Sequence, residues 1–266
     1  WPAFERKPET YQGTQSELVD LARRRLAELT LGFGLRGRYW TPVGPPSILS
    51  SDLHITYWSP LWYGPQTLAA QTRHVGGSPL VKTAADRGLP PPDQMPWVLI
   101  TLGTSFNSDP NFFLAAAHAA ARLGCLPIVV LGRHAQPEDE TWLRRLPPGT
   151  PVRCLIAFDA ILPYLAAAIH HGGAGTTHAL VTSAVPQIVV PHAADQTYQG
   201  AGVVHSGVGY YMPPKNVTID SLEAALATLL PDLSEFRSRA RHVQAEFAAL
   251  GGAKAAADAI EQTART

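Results

Sequence analysis

The amino-acid sequence predicts an α/β protein with a doubly wound parallel sheet, and three features of its last two-thirds indicate this class. From Trp97 onward, short apolar runs alternate with segments of helical composition, which is the order of strands and helices in such sheets. The runs are continuously apolar rather than alternating in polarity, as expected for strands covered on both faces. A glycine loop, HHGGAG at 170–175, joins one of these strands directly to a helix.

Each element after residue 96 is predicted from its own composition and boundaries. Asp109 followed by Pro110 marks one helix start, and Thr218 marks another. The predicted strands are 97–102, 126–131, 152–156, 166–169, 187–190 and an edge strand at 208–212. The predicted helices are 111–123, 141–146, a turn at 161–165, 176–183, 196–205, 219–230, 235–250 and 253–263.

The part of the chain before residue 96 is less regular. Thr14 and Glu17 form a capping box before a helix that is predicted to end near Leu29. Strands are predicted at 52–58 and 73–77.

A proline-rich segment, GLPPPDQMP at 88–96, is predicted to be a linker. It separates a first part, 1–87, from a ligand-binding domain at 97–266. Because the chain begins at Trp1 without a methionine and without a first strand, we expect a processed or truncated protein.

The composition limits the class of partner. The 266 residues, 45% of them hydrophobic, are enough for one large or two modest domains. Lys plus Arg and Asp plus Glu number 21 each, so no basic field attracts nucleic acid or an anionic membrane surface. No apolar run approaches the ~18 residues of a membrane span. Cys125 and Cys154 lie in apolar surroundings and are interpreted as reduced, packed thiols of a cytoplasmic protein.

The glycine loop is suited to anion binding. Glycines let the backbone approach a ligand closely, and the first amides of a helix lack partners within the helix. The start of the helix that follows is therefore suited to binding a phosphate or diphosphate. The loop lacks the third glycine of the dinucleotide fingerprint and the Lys-Ser/Thr of a P-loop. Taken alone, it is equally consistent with a plain turn between strand and helix.

Loops leaving the carboxyl ends of parallel strands can face one crevice, which is where doubly wound sheets bind ligands. The predicted loops at these ends are 103–105, 157–159, 171–176 and 192–196.

Several motifs together resemble the donor-site signature of GT-B glycosyltransferases of the UDP-glycosyltransferase type. They are HHGGAGTTHAL, VPQIVVP and ADQ, with VLITLGTS and FDAILPYLAAAIHHGG upstream and GGAKAAADAIEQ downstream. This signature is highly specific and covers the last two-thirds of the chain, and bacterial natural-product and sterol glycosyltransferases are the most similar. The resemblance implies that 97–266 is the Rossmann-like C-terminal half of a GT-B fold and 1–87 the remnant of an acceptor-binding domain.

The resemblance implies a role for each loop. The donor diphosphate would be bound by Gly103, Thr104, Ser105, His171, Gly173, Gly175, Thr176 and Thr177. Ala157 and Phe158 would lie beside the nucleotide base, and Asp195 and Gln196 would hydrogen-bond the sugar hydroxyls. No resident cofactor is implied, since the UDP- or dTDP-sugar is a co-substrate.

Histidines are frequent in this region but do not suggest a metal site. His170 is interpreted as structural, because adjacent residues of a strand face opposite sides. Zinc binding by His170, His171, His178 and His192 is disfavoured, since no carboxylate or thiolate completes the set.

The sequence departs from the family pattern in two places. Many relatives have a glutamate for the ribose hydroxyls where this chain reads Thr177-His178-Ala179-Leu180, so the choice between uridine and deoxythymidine stays open. The family's catalytic base is a histidine early in the acceptor domain, and no position here matches it. His54 and His74 lie in the wrong segment, so the base is unassigned.

The expected function is transfer of a hexosyl group from a nucleoside-diphosphate sugar to a hydroxyl of a small lipophilic acceptor. By family analogy the reaction is inverting and needs no metal. Two alternatives stay open: a non-catalytic nucleotide-sugar-binding half that needs a partner domain or chain, and a sugar-nucleotide epimerase of GT-B architecture.

Overall fold

The structure is a computed structural model, which describes residues 20, 24–25, 27–29, 31–34, 52–63, 68, 70–77, 89, 95–105, 108–193, 195–231 and 234–265. The predicted capping box at Thr14 and Glu17, and most of the predicted linker at 88–96, lie outside these residues. The division into a first part, a linker and a ligand-binding domain stays a prediction.

The described strands are β1 His54–Thr56, β2 Thr72–His74, β3 Trp97–Thr101, β4 Leu126–Val130, β5 Val152–Arg153, β6 Leu165–His170, β7 Gln187–Val189 and β8 Gly209–Tyr211. The described helices after residue 52 are α1 Pro60–Tyr63, α2 Pro110–Arg122, α3 Glu140–Leu143, α4 Phe158–Ile161, α5 Ala174–Thr182, α6 Gln196–His205, α7 Ile219–Leu229, α8 Glu235–Ala249 and α9 Gly252–Ala264. Short 3₁₀ turns occupy Pro137–Asp139, Leu162–Tyr164 and Pro214–Asn216.

The predicted parallel sheet is confirmed. Six strands pair in the order β5-β4-β3-β6-β7-β8, and every pairing is parallel. From the centre of the sheet, β3, β4 and β5 follow one another toward one edge, and β6, β7 and β8 follow one another toward the other edge. The strand order therefore reverses between β3 and β6, which is the switch point where doubly wound sheets bind ligands.

Both faces of the sheet are buried, which explains the continuous apolar runs. Val98 and Ile100 of β3 pack on the side of α2 and α7, whereas Trp97 and Leu99 pack on the opposite side. The same alternation continues in β7, where Ile188 and Val189 belong to different clusters. Side chains of successive strand residues thus reach opposite helical layers.

Helix starts follow their predicted caps. An Oδ1 atom of Asp109 accepts from the amide of Phe112 at 3.1 Å, and Asp109 is the N-cap of α2. Thr218 caps α7, where its Oγ1 accepts from the amide of Ser221 at 3.0 Å.

Several predicted elements have different bounds in the structure. The predicted strand 152–156 is only Val152–Arg153, although the Cys154 carbonyl still accepts from the Gly132 amide at 2.9 Å. The predicted turn at 161–165 begins earlier, as α4, and Leu165 is already the first residue of β6.

The described chain falls into two compact units. The unit around the six-stranded sheet comprises Trp58–Gly64 and Gly76–Gly252. Within it, the ring of Trp62 packs against Gly202 of α6 and stacks on Trp58 with a centroid separation of 4.3 Å. Residues 58–64, which the predicted boundaries placed in the first part, thus contribute to the sheet unit.

The other unit comprises Trp1–Tyr57, Pro65–Val75 and Ala253–Thr266. Within it, β1 and β2 form a parallel pair in which His54 lies opposite Thr72, and both strands are shorter than predicted. Residues 20, 24–25, 27–29 and 31–32 are helical. Across the described residues, every helix is too short or too polar to cross a membrane.

Candidate functional site

The loops at the switch point lie beside each other. Thr101 and His170 are register partners at the ends of β3 and β6, so the segments that follow them start side by side. Gly103, in the first segment, has φ +71°. A Cβ atom there would lie 2.6 Å from Cε1 of His171, in the second segment.

His171 is enclosed by glycines. A side chain at Gly173 would collide with its Nε2 atom, just as one at Gly103 would collide with Cε1. These two glycines, predicted to contact phosphate, are therefore already required to make room for the imidazole. The Gly103 amide also donates to Thr101 Oγ1 at 3.1 Å, which engages it within the protein.

The imidazole of His171 is neutral at pH 7. Burial lowers its pKa from 6.5 to about 4, and the neighbouring His192 lowers it further, whereas Asp195 opposes the shift. The nearby backbone of Thr101 also opposes this lowering of the pKa. The Nδ1 atom of His171 is buried and has no hydrogen-bond partner among the described residues. His171 can therefore offer a ligand an N–H group but no charge.

His170 confirms its predicted structural role. Its Nδ1 accepts from the Gly172 amide at 3.1 Å, so the proton resides on Nε2, which donates to Gln187 Oε1 at 2.9 Å. The side chain is fully buried, and burial lowers its pKa to about 3.

The start of α5 is open to a ligand. Ala174 and Gly175 are exposed, and a Cβ atom at Gly175 would meet no atom within 4 Å. The amides in this first turn have no acceptor within the helix, and the helix dipole places partial positive charge there. Thr176 is half-buried at the same end. An anion could therefore approach the backbone closely at Gly175.

Thr177 serves the loop itself. Its side chain is buried, and both its hydroxyl and its amide donate to the Gly173 carbonyl at 2.9 Å. The hydroxyl proton of Thr177 is thus engaged by the back-bond to Gly173, and its predicted contact with the phosphates stays a prediction.

Thr104 and Ser105 are exposed at the end of β3, where their hydroxyls face solvent. Ala157, in the segment after β5, is exposed and is the N-cap residue of α4. Phe158 packs half-buried against the core cluster that contains Trp97 and Leu99, so part of its ring serves the core.

Asp195 and Gln196 lie at the start of α6 but differ in burial. Asp195 is exposed, and its side chain makes no capping bond. Gln196 is buried, and its Oε1 accepts from the amides of His192 and Ala193 at 2.6 and 2.9 Å. Its carbonyl oxygen thus shapes the loop, and its amide nitrogen is the group that can still donate to a sugar hydroxyl.

One contact was missed by sequence reasoning. His192 Nε2 lies 3.1 Å from Oδ2 of Asp109, although 83 residues separate them. The cap role of Asp109 was predicted, but a second role in joining two loops could be recognised only once the strand order was known.

Metal ligation has no support in the described part of the chain, where no three His, Cys, Asp or Glu side chains form a cluster that could hold an ion. The rings of His170 and His171 are inclined at 84° with centroids 6.3 Å apart.

The fold is shared with known glycosyltransferases. The solved structure of the calicheamicin glycosyltransferase CalG4 superimposes with a TM-score of 0.71 at 25% identity, covering 97% of this chain and 65% of that one. The architecture is thus that of GT-B glycosyltransferases, which confirms the fold class expected from the donor-site motifs.

Two relatives are similar in sequence. NDP-glycosyltransferase YjiC of Bacillus subtilis is 31% identical over 169 residues, which are 64% of this chain and 42% of the relative. Oleandomycin glycosyltransferase of Streptomyces antibioticus is 34% identical over 166 residues, 62% of this chain and 37% of the relative. The chain thus spans less than half the length of either. Residues 121–261 match the family described as Erythromycin biosynthesis protein CIII-like, C-terminal domain, and the chain belongs to that family.

Proposed function

We propose that this chain is the donor-binding part of a glycosyltransferase that moves a hexosyl group from a UDP- or dTDP-sugar to a hydroxyl of a small lipophilic acceptor. The observation that carries the proposal is the start of α5 at the switch point, where Gly175 is open to a ligand and a neutral His171 lies alongside. The names of the two relatives, an NDP-glycosyltransferase and an antibiotic glycosyltransferase, support the same donor and acceptor classes.

In the proposed reaction, the acceptor oxygen forms a bond to the anomeric carbon while the bond from that carbon to the diphosphate oxygen breaks. The configuration inverts, the acceptor proton passes to a base that this chain does not identify, and the diphosphate leaves with the bonding pair. Charge builds on the diphosphate, where fixed donors lower the barrier without reorganising. In this proposal the open amides of α5, Thr176 and the His171 N–H would supply these donors without a divalent metal.

The sugar would be read at the start of α6. The exposed Asp195 carboxylate accepts hydrogen bonds from hydroxyls, and the Gln196 amide nitrogen donates. We propose that this pair orients the hexosyl group for attack. The nucleotide base would lie near Ala157 and the exposed part of Phe158.

A second candidate is a binding part that turns over only with a further segment or partner chain. The lack of an assigned base among the residues of this chain favours it. No specific observation favours the epimerase.

Calorimetry of the 266-residue chain with UDP and with dTDP, each with magnesium and with EDTA, tests the proposal. We expect micromolar to millimolar binding that does not require magnesium. Incubation with a UDP-sugar and a phenolic acceptor then separates the candidates: transfer by this chain favours the first, and binding without transfer favours the second. Absence of binding by both nucleotides would contradict both candidates.

A further inference from the structure

His192 lies between two acceptors. Its Nδ1 is 2.8 Å from the Val190 carbonyl oxygen, and its Nε2 is 3.1 Å from Oδ2 of Asp109. A carbonyl oxygen only accepts hydrogen bonds, and so does an ionised carboxylate. A ring that makes both bonds therefore carries a proton on each nitrogen, and a doubly protonated imidazole is a cation.

Asp109 lies at a helix start, where negative charge is favoured. Its Oδ1 accepts from the Phe112 amide at the start of the 13-residue α2, where the helix dipole favours negative charge. Its Oδ2 is thereby directed at His192. The ring of Phe112 packs edge-on against His192, with centroids 5.6 Å apart and planes at 88°. His192 is consequently fixed in position, with its side chain 15% exposed.

The pair spans the centre of the candidate site. Asp109 follows β3 and His192 follows β7, and these strands lie on either side of β6, which ends at the glycine loop. His192 is close enough to His171 to disfavour a second charge there. Of the other titratable groups around it, Asp195 is an exposed carboxylate, and His170 and His171 titrate far below neutrality.

The amides of α5 and the neutral His171 can offer donors to a diphosphate, but neither brings a full positive charge. We propose that His192, charged and oriented by Asp109, is a positioning residue that supplies positive charge to the donor diphosphate. This inference rests on the proposed function, because it assumes that a nucleoside diphosphate occupies the switch point.

The test uses calorimetric Kd values for UDP and dTDP at about pH 5.5 and about pH 8, which bracket the ordinary titration of histidine. His192→Gln removes the charge, and we expect roughly tenfold weaker binding at the lower pH and a smaller difference at the higher pH. The phosphate's own titration is common to both proteins, so it cancels in the ratio of their affinities. His192→Lys keeps a charge across this range, and we expect its binding to exceed that of His192→Gln at both values.

Asp109→Asn is the matched substitution at the residue that contacts His192. The asparagine oxygen can still accept from Phe112 and its amide can donate to a neutral His192, so the contact survives without the charge. We expect this variant to lose affinity at the lower pH like His192→Gln. The control is His118→Gln, which removes a histidine of α2 whose Nε2 lies 2.9 Å from the Arg145 carbonyl oxygen.

Nitrogen-15 chemical shifts of the His192 ring at the lower pH report both protons directly, without nucleotide. If His192→Gln binds as the unaltered chain does at both pH values, or if the ring nitrogens show a single proton at about pH 5.5, the inference is overturned while the proposed function stands. If the unaltered chain binds neither nucleotide, the proposed function is lost and the inference with it.

Discussion

His170 and His171 are adjacent in sequence and have opposite surroundings. His170 is locked between Gly172 and Gln187, whereas His171 lies among glycines at the edge of the open site. The alternation of side chains at the end of β6 could be predicted from sequence, and it indicated the structural role of His170. The low pKa values of both could not, because they depend on how many atoms cover each ring.

The two rings predict how stability depends on pH. Their folded pKa values, about 3 and about 4, lie below the ordinary 6.5, so the unfolded chain takes up protons first as pH falls. The stabilisation is complete above about pH 6.5 and is lost progressively toward pH 4, and we expect a loss of roughly 2 kcal/mol or more between pH 7 and pH 4.5. Guanidinium denaturation at both pH values measures it.

His170→Gln removes one of these groups, so its stability should change less over the same interval than that of the unaltered chain. His118→Gln, outside the buried pair, should lose as much stability between pH 7 and pH 4.5 as the unaltered chain does. An unaltered protein that is equally stable at pH 7 and pH 4.5 would contradict the burial argument.

At the scale of the element, two glycines at the start of helix α5 have different surroundings. A Cβ atom at Gly173 would strike His171, but one at Gly175 would meet nothing. The sequence shows both glycines alike. Only the structure distinguishes them, because the position of His171 relative to each depends on how the loop turns.

Gly175→Ala should therefore act oppositely on stability and binding. Alanine favours the helix, by up to about 1 kcal/mol relative to glycine, and nothing in the protein resists it. We expect an unchanged or higher melting temperature together with weaker UDP or dTDP binding, because the methyl group occupies the space of the close anion approach. Calorimetry and thermal unfolding of the same sample measure both.

Gly32→Ala is the matched control, since it is also an open glycine in a helical stretch. It should leave nucleotide binding unchanged. Binding by Gly175→Ala that equals that of the unaltered chain would remove the start of α5 from the site.

The connection from β4 to α3 depends on one buried carboxylate. Asp139 accepts from Arg133 at 2.6 and 2.8 Å, from the Gln136 amide at 2.7 Å and from Trp142 Nε1 at 3.0 Å. The Arg133 guanidinium holds the pKa of this carboxyl well below its usual range. Sequence reasoning did not single it out, because Arg133 and Asp139 meet only after the intervening chain folds back.

Asp139→Asn should cost about 3 kcal/mol of unfolding free energy, because it leaves the half-buried Arg133 without its partner. The wild-type contribution is present above about pH 4 and is lost as the pH falls below that value, since the folded pKa is the lower one. Chemical denaturation at pH 7 measures the cost. Glu140→Gln breaks an exposed pair with Arg144 and should change stability by less than about 0.5 kcal/mol, and equal effects of the two variants would refute the argument.

At the scale of the whole molecule, the sheet was predictable because buried parallel strands leave continuous apolar runs in sequence. The length of β5 was not, because pairing by Cys154 ends where the chain turns toward α4. The contact between Asp109 and His192 was also not predictable. These residues are 83 apart in sequence, and they meet only because β3 and β7 lie on either side of β6 in the sheet.

The compact units give a prediction about shortened chains. Trp62 is 4% exposed and covers Gly202 of α6, in the same cluster as Val203 and Phe247. A fragment of residues 97–266 lacks this tryptophan, so it should expose that cluster, bind the dye ANS and unfold at a lower temperature than the full chain. Trp62→Ala in the full chain should cost about 3–5 kcal/mol for the same reason. A fragment as stable as the full chain would contradict this assignment.

The stacked pair Trp58 and Trp62 therefore decides where this molecule can be divided. A hybrid protein that joins a homologous sheet unit to this chain at the proline-rich segment would separate both indoles from α6. A hybrid joined upstream of Trp58 would keep both tryptophans with α6. It should therefore be obtained in higher yield and keep longer in storage than a hybrid joined at the proline-rich segment.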